Sequence, residues 1–163
     1  MEYRYLCIIM DYVDWTFNGQ PFVNPEKYVG FCYCITHLPS GKRYLGRKYF
    51  WSVRKVKGKK RRQRSESNWR TYWSSSKVLQ DMVKEEGEHN FTREIISLHT
   101  TRGDVNYTEV KLQFLCNVLE SDEWINDNIN GKWQRKPEHI VNGRVISETW
   151  EVPVRLSFQT QTL

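Results

Sequence analysis

The strongest constraint on this chain is a pair of apolar runs that face each other across a short turn. Residues 28–36 read Tyr-Val-Gly-Phe-Cys-Tyr-Cys-Ile-Thr. β-Branched and aromatic side chains without a charge among them favour a well-buried strand. His37-Leu38-Pro39-Ser40-Gly41 follows, and its Pro-Ser-Gly chemistry marks a turn. Residues 42–50, Lys-Arg-Tyr-Leu-Gly-Arg-Lys-Tyr-Phe, return as the second arm of a hairpin. Alternation places Tyr44, Gly46 and Lys48 on one face of that arm. If the register brings Tyr33 to the same side, two phenols and an amine converge on a glycine. The missing side chain would let a ligand backbone come close. A tyrosine with its ordinary pKa of ~10 is a poor base at neutral pH, and a neighbouring cation would lower that value. Lys42, Arg43 and Lys48 are the candidates for that role. An ordinary sheet rim of tyrosines and a lysine fits the same residues, and alternation alone does not choose between the two.

The rest of the chain supplies partners for this hairpin. A loosely alternating strand is expected over residues 3–13. Asn18-Gly19 signals a turn, and Pro21 with Pro25 an irregular connection. Ser74, Ser75 and Ser76 offer N-caps for a helix that ends near Glu86 before Gly87. Val78, Leu79, Met82 and Val83 give that helix an apolar face. Phe91 to Leu98 reads as a third strand. Asp104 is expected to cap a helix from Val105 to Leu119, with one apolar face through Val105, Leu112, Cys116 and Leu119. A second face through Tyr107, Val110, Phe114 and Val118 suggests cover on two sides. Asn142-Gly143 between apolar runs predicts a C-terminal hairpin over 140–146. The order strand–strand–helix–strand–helix defines an α+β fold. An extra N-terminal strand and a C-terminal hairpin are added to it. The corresponding segments are 1–27, a central domain over 28–130, and an extension over 131–163 packed on the same domain.

Composition limits what such a fold can do. At 163 residues there is room for one core and little else. No apolar run reaches the ~20 residues of a membrane span, so no membrane partner is expected. The four cysteines form no CxxC pair and read as reduced thiols of a cytoplasmic protein. The charge is unevenly spread. Residues 54–64 carry eight cations and no anion: Arg54, Lys55, Lys57, Lys59, Lys60, Arg61, Arg62 and Arg64. Removing these eight from a net charge of +6 leaves −2 on everything else. So dense a cationic segment favours a polyanion, through counterion release on meeting phosphates. A solvated loop with no partner has the same composition.

Two further residues invite chemistry. Glu109 borders the apolar stripe of the last helix, where a carboxylate is desolvated unless paired. A hard cation such as Mg²⁺ fits, because it takes one or two carboxylates and keeps several waters; a salt bridge fits as well. Arg70 lies between Trp69 and Tyr72-Trp73, and stacking there would hold its donor fork ready for a phosphate. Cation–π packing without a ligand is the alternative.

The order of these signals is more telling than any one of them. Gly30-Phe31-Cys32-Tyr33-Cys34-Ile35, followed by Tyr44-Leu45-Gly46 eleven residues after Tyr33, resembles the motif of the GIY-YIG nuclease superfamily. The first half departs from the motif, since one residue separates Phe31 from Tyr33. Tyr44 to Phe50, the basic segment, Asn68 to Lys77 and Asn90 to Ile95 extend the likeness to the phage SegE-like endonuclease group, over residues 17–130. The resemblance implies a small three-stranded antiparallel sheet flanked by helices, with which the element order agrees, and a homing-like or host-DNA-degrading endonuclease of a phage-infected bacterial cytoplasm, acting as monomer or homodimer. It implies hydrolysis of DNA with one Mg²⁺ or Mn²⁺. Tyr33 would activate water, and Tyr44 would orient water or phosphate, with Lys48 or Arg43 holding the phenols acidic. Arg70 would stabilise the transition state, Glu109 would bind the metal, and Asn126 would support it, with Asn128 and Asn130 as close alternatives. Arg54 would join the basic loop on the DNA backbone. A non-catalytic nucleic-acid-binding or host-interaction protein on the same fold is the competing expectation.

Overall fold

The computed structural model describes residues 14–55, 58 and 61–135. The strand expected over 3–13 and the hairpin expected over 140–146 lie outside these residues.

The hairpin forms as its sequence suggests. Strands β3 (Gly30–His37) and β4 (Arg43–Tyr49) pair antiparallel. β7 (Phe91–His99) lies antiparallel on the other side of β3. These three strands are the expected sheet. It is extended by β1 (Trp15–Phe17), which runs parallel to β7, and β2 (Gln20–Pro21), which runs antiparallel to β1. The order is β2-β1-β7-β3-β4, so β7 is central, β3 lies between β7 and β4, and β4 is an edge. The sheet is thus mixed and five-stranded rather than purely antiparallel and three-stranded. Asn18 and Gly19 both take positive φ, at 51° and 74°, the conformation of a tight turn joining β1 to β2. The sheet therefore reaches back before residue 28. Between Cys32 and Tyr33 the β3–β7 register shifts, which leaves Ile96 as an extra residue in β7.

Because side chains alternate, the two faces of the sheet collect different cores. Phe31, Tyr33 and Ile35 face Trp15, Phe50, Trp69, Phe91 and Ile95, under helix α1 (Lys77–Glu86). Ser76 caps α1 by accepting from the Leu79 amide, and Gly87 ends it. Leu79 and Val83 are the buried residues of α1. Cys34 and Leu45 face the other way, toward Val118, Leu119, Trp124 and Ile129. Helix α2 (Arg102–Leu115) covers that face.

Two helix expectations change. The N-cap of α2 is Thr101, whose hydroxyl accepts from the Asp104 amide, and the helix ends at Leu115 rather than Leu119. Its buried residues are Val105, Glu109 and Gln113. The second apolar face is covered in part: Val118 is buried and Val110 packs half-buried against the same core, while Tyr107 and Phe114 are exposed. The expected stripe through Val105, Leu112, Cys116 and Leu119 faces the core, and the polar Glu109 and Gln113 are buried alongside it.

The two ends of the cationic segment, Arg54 and Arg64, belong to a two-stranded ribbon. β5 (Trp51–Arg54) pairs with β6 (Gln63–Glu66), and all four residues of β6 are exposed. A short hairpin, β8 (Asn128–Ile129) with β9 (Trp133–Gln134), closes the described chain. No described helix is long and apolar enough to cross a membrane, and Cys32, Cys34 and Cys116 are free thiols.

Candidate active site

The free edge of β4 is closed by a later segment instead of another strand. The Arg43 amide donates to Glu123 O and the Ile125 amide donates to Arg43 O. Asn126 continues this pairing with its side chain. Its Oδ1 accepts from the Leu45 amide at 3.0 Å and its Nδ2 donates to Leu45 O at 2.8 Å. A buried edge residue needs both groups satisfied, and one carboxamide does so. Asn126 is thus committed to the backbone and does not line the cleft beside it. Asn128 and Asn130, the alternatives to it, do line that cleft.

The cleft has a volume of ≈ 410 Å³. Because it sits on an edge, it draws side chains from both faces of the sheet. Tyr44, Tyr72, Ser75, Ser76 and Lys77 come from the α1 side; Arg47, Glu109 and Gln113 come from the α2 side. Asp127, Asn128 and Asn130 bound it from the closing hairpin.

The tyrosines meet as the hairpin predicts. Tyr33 is paired with Gly46 across the β3–β4 ladder, and the Tyr33 and Tyr44 rings stack at 6.3 Å. The space over Gly46 belongs to Tyr33, however, and not to a ligand. A Cβ there would lie 2.6 Å from the Tyr33 hydroxyl oxygen. Tyr33 is 1 % exposed and reaches the cleft only through Tyr72, to which it hydrogen-bonds. Tyr72 and Tyr44 each hydrogen-bond Ser75. Three phenols and one serine hydroxyl therefore form a continuous network whose open end is Tyr44 and Tyr72.

The expected acidification of these phenols is not found. Burial raises Tyr33 well above the ordinary tyrosine range, and the neighbouring Tyr44, Tyr72 and Glu109 add to the rise. Burial pushes Tyr44 up to about 12 and raises Tyr72 too. The cations named for the task are occupied elsewhere. Lys48 Nζ lies 3.7 Å above the Tyr72 ring and donates to Asn68 Oδ1 at 2.7 Å; burial lowers its own pKa. Arg43 bonds Glu123 at 2.7 Å and stacks on Trp124. Lys42 is exposed at the turn.

Glu109 is where the sequence placed it, 7 % exposed on the sheet-facing side of α2. Its partner was not foreseen: Arg47 Nη1 donates to Glu109 Oε2. Burial raises the Glu109 carboxyl above the usual range, and Arg47 opposes the rise. Alternation held the clue, since Arg47 must point to the face opposite Tyr44, but the partner lies 62 residues away.

Arg70 does not join this cleft. Its guanidinium donates to Glu66 at 3.1 Å and to Val23 O at 3.2 Å, and it stacks on Trp69 at 4.3 Å. The cation–π alternative accounts for it. Lys77, in the first turn of α1, lines the cleft and was missed. Along the ribbon, Arg54, Lys55, Arg61, Arg62 and Arg64 are all exposed, and Arg64 stacks on Trp51 at 3.9 Å. Lys57, Lys59 and Lys60 lie outside the described residues.

The family model described as "Putative endonuclease segE, GIY-YIG domain" matches residues 15–129. The chain belongs to this SegE-type GIY-YIG family. No curated protein and no solved structure matches it. The matched span starts at β1 and ends at β8, so it takes in the whole five-stranded sheet, both helices and every residue of the cleft but Asn130 and Gly131.

Proposed function

We propose that this GIY-YIG domain hydrolyses phosphodiester bonds of DNA in the cleft along β4, with a divalent cation held at Glu109. The observation that carries the reading is the meeting of Arg47, Glu109 and the tyrosine network at one edge of the sheet. No group of three or more His, Cys, Asp or Glu side chains that could hold a metal occurs among the described residues. That argues against a dehydrated site of the zinc type. It suits Mg²⁺ or Mn²⁺, hard cations that keep most of their waters and need one or two carboxylates. Glu109 provides one, deep in the cleft, and Asp127 a second on its rim. Bound there, the cation would stabilise negative charge developing on the phosphate.

The chain's own residues do the rest. Arg47 is fixed by Glu109 and faces the cleft with donors suited to a non-bridging phosphate oxygen. Lys77 adds positive charge from the opposite wall. Tyr44 and Tyr72 orient the attacking water, and Tyr33 holds Tyr72 in place from behind. Burial opposes a lasting phenolate on any member of the network, so a proton that Tyr44 or Tyr72 takes from the attacking water would have to pass on to bulk solvent at the open end of the cleft. The ribbon β5–β6, with its exposed arginines, lies along the DNA backbone.

Supercoiled plasmid incubated at low salt, with Mg²⁺ or Mn²⁺ and with chelator, tests this. Nicking that requires the cation is expected. Binding without nicking under either metal would favour the non-catalytic reading of the same fold.

A further inference from the structure

Gln113 sits one helical turn after Glu109 on α2, lines the same cleft, and is 3 % exposed. Its Nε2 donates to Leu45 O at 3.1 Å, which fixes the amide and leaves Oε1 turned the other way. That oxygen is buried and has no hydrogen-bond partner. A buried acceptor without a donor opposes folding, and such cases call for an explanation.

The bond to Leu45 does not supply one. Asn126 already satisfies both backbone groups of Leu45, at 3.0 and 2.8 Å. A methionine of similar length would fill the space with no orphaned oxygen. No donor that lines the cleft reaches this oxygen, neither Arg47, whose Nη1 is turned to Glu109, nor Lys77. The DNA backbone is no partner either, since its phosphodiester oxygens accept hydrogen bonds and donate none. An acceptor in this cleft can be satisfied by water or by a cation.

We infer that Gln113 is a second oxygen donor toward the hydrated divalent cation, paired with Glu109 at i and i+4 on α2. This rests on the proposed cation at Glu109. Its neutral oxygen adds an acceptor for the cation or its waters without a second charge beside Glu109. Gln113 is a positioning residue for that shell.

Mn²⁺ titration of the full chain without DNA, followed by electron paramagnetic resonance, tests it in wild type, Gln113→Met and Gln113→Glu. Met should weaken Mn²⁺ binding at least ~5-fold while the urea midpoint stays the same or rises, because the orphan is gone. Glu should tighten binding several-fold, since it adds a charged oxygen at the same place. A merely structural role would not move affinity in opposite directions. If Met fails to fold, the Glu variant alone decides. Affinity within twofold of a wild type that does bind Mn²⁺ overturns this inference and leaves the nuclease reading standing. No Mn²⁺ binding by wild type overturns both.

Discussion

Replacing Gly46 by alanine probes the tyrosine network without touching a polar group. The new Cβ would stand 2.6 Å from the Tyr33 hydroxyl oxygen, 2.8 Å from its Cζ and 3.0 Å from Tyr44 Cε1. The Tyr33 ring cannot swing clear. It is wedged against Trp15 at 5.0 Å, Phe31 at 5.9 Å, Tyr72 at 6.2 Å and Tyr44 at 6.3 Å. Overpacking of this kind costs about 1–3 kcal/mol. Alanine recovers about 0.5–1 kcal/mol of backbone entropy in a strand, so a net loss of about 1–2 kcal/mol is expected. For a chain this long that lowers Tm by roughly 3–8 °C. The diagnostic step is a double-mutant cycle in urea with Tyr33→Phe, which deletes the atom at 2.6 Å and leaves the ring carbon at 2.8 Å. Gly46→Ala should then cost at least about 0.5 kcal/mol less in the Phe background. Additivity within about 0.3 kcal/mol, or no cost in the wild-type background, would refute the account of why position 46 is glycine.

Three other outcomes follow from the same geometry. Asn126→Ala strips the Leu45 amide of its acceptor and leaves Gln113 as the remaining donor to the Leu45 carbonyl, so it should lower stability by about 1–3 kcal/mol in urea and leave the Mn²⁺ affinity of the folded protein within about twofold; the reverse pattern would restore Asn126 as a cation ligand. Burial raises Glu109, so its carboxyl stays protonated at pH values where an ordinary glutamate, near ~4.3, is already charged. A cation requires the charged form, so Mn²⁺ affinity should fall as pH drops through a midpoint above that range. The midpoint should climb further in Arg47→Met, because Arg47 opposes the rise; a midpoint at or below the ordinary range would contradict the burial argument. Neutralising Arg54, Arg61, Arg62 and Arg64 should make the fall of DNA affinity with salt shallower, measured by fluorescence anisotropy in chelator. An unchanged slope would remove the ribbon from the interface.

What the sequence made legible was local. The β3–β4 hairpin, the Ser76 cap and the Gly87 stop depend on neighbours within a few residues, and all formed as read. Thr101 with Asp104 had the spacing of a capping pair and could have been preferred to Asp104 alone. The parallel pairing of β1 with β7 joins residues 78 positions apart, and three-residue strands leave no pattern to detect. β5 and β6 were hidden for another reason: β6 is exposed along its whole length and needs no apolar alternation. At the site, the tyrosines were readable because a hairpin brought them together. Their partners were not. Arg70 was suggested by its aromatic flanks, which hold it against Glu66 and Val23 instead. Arg47 meets Glu109 only because α2 crosses the opposite face of the sheet. The acidified phenol was expected from nearby cations, and burial outweighed them.

Single-turnover cleavage of a labelled DNA duplex by Arg47→Met and Arg70→Met, each beside Glu109→Gln, tests the central claim that the working site is the β4-edge cleft. Loss of one preorganised donor to a developing oxyanion costs ~10²–10³-fold in rate. Arg47→Met and Glu109→Gln should each lose at least that much, while Arg70→Met stays within about tenfold of wild type. A large loss in Arg70→Met with Arg47→Met near wild type would place the chemistry elsewhere and contradict the account.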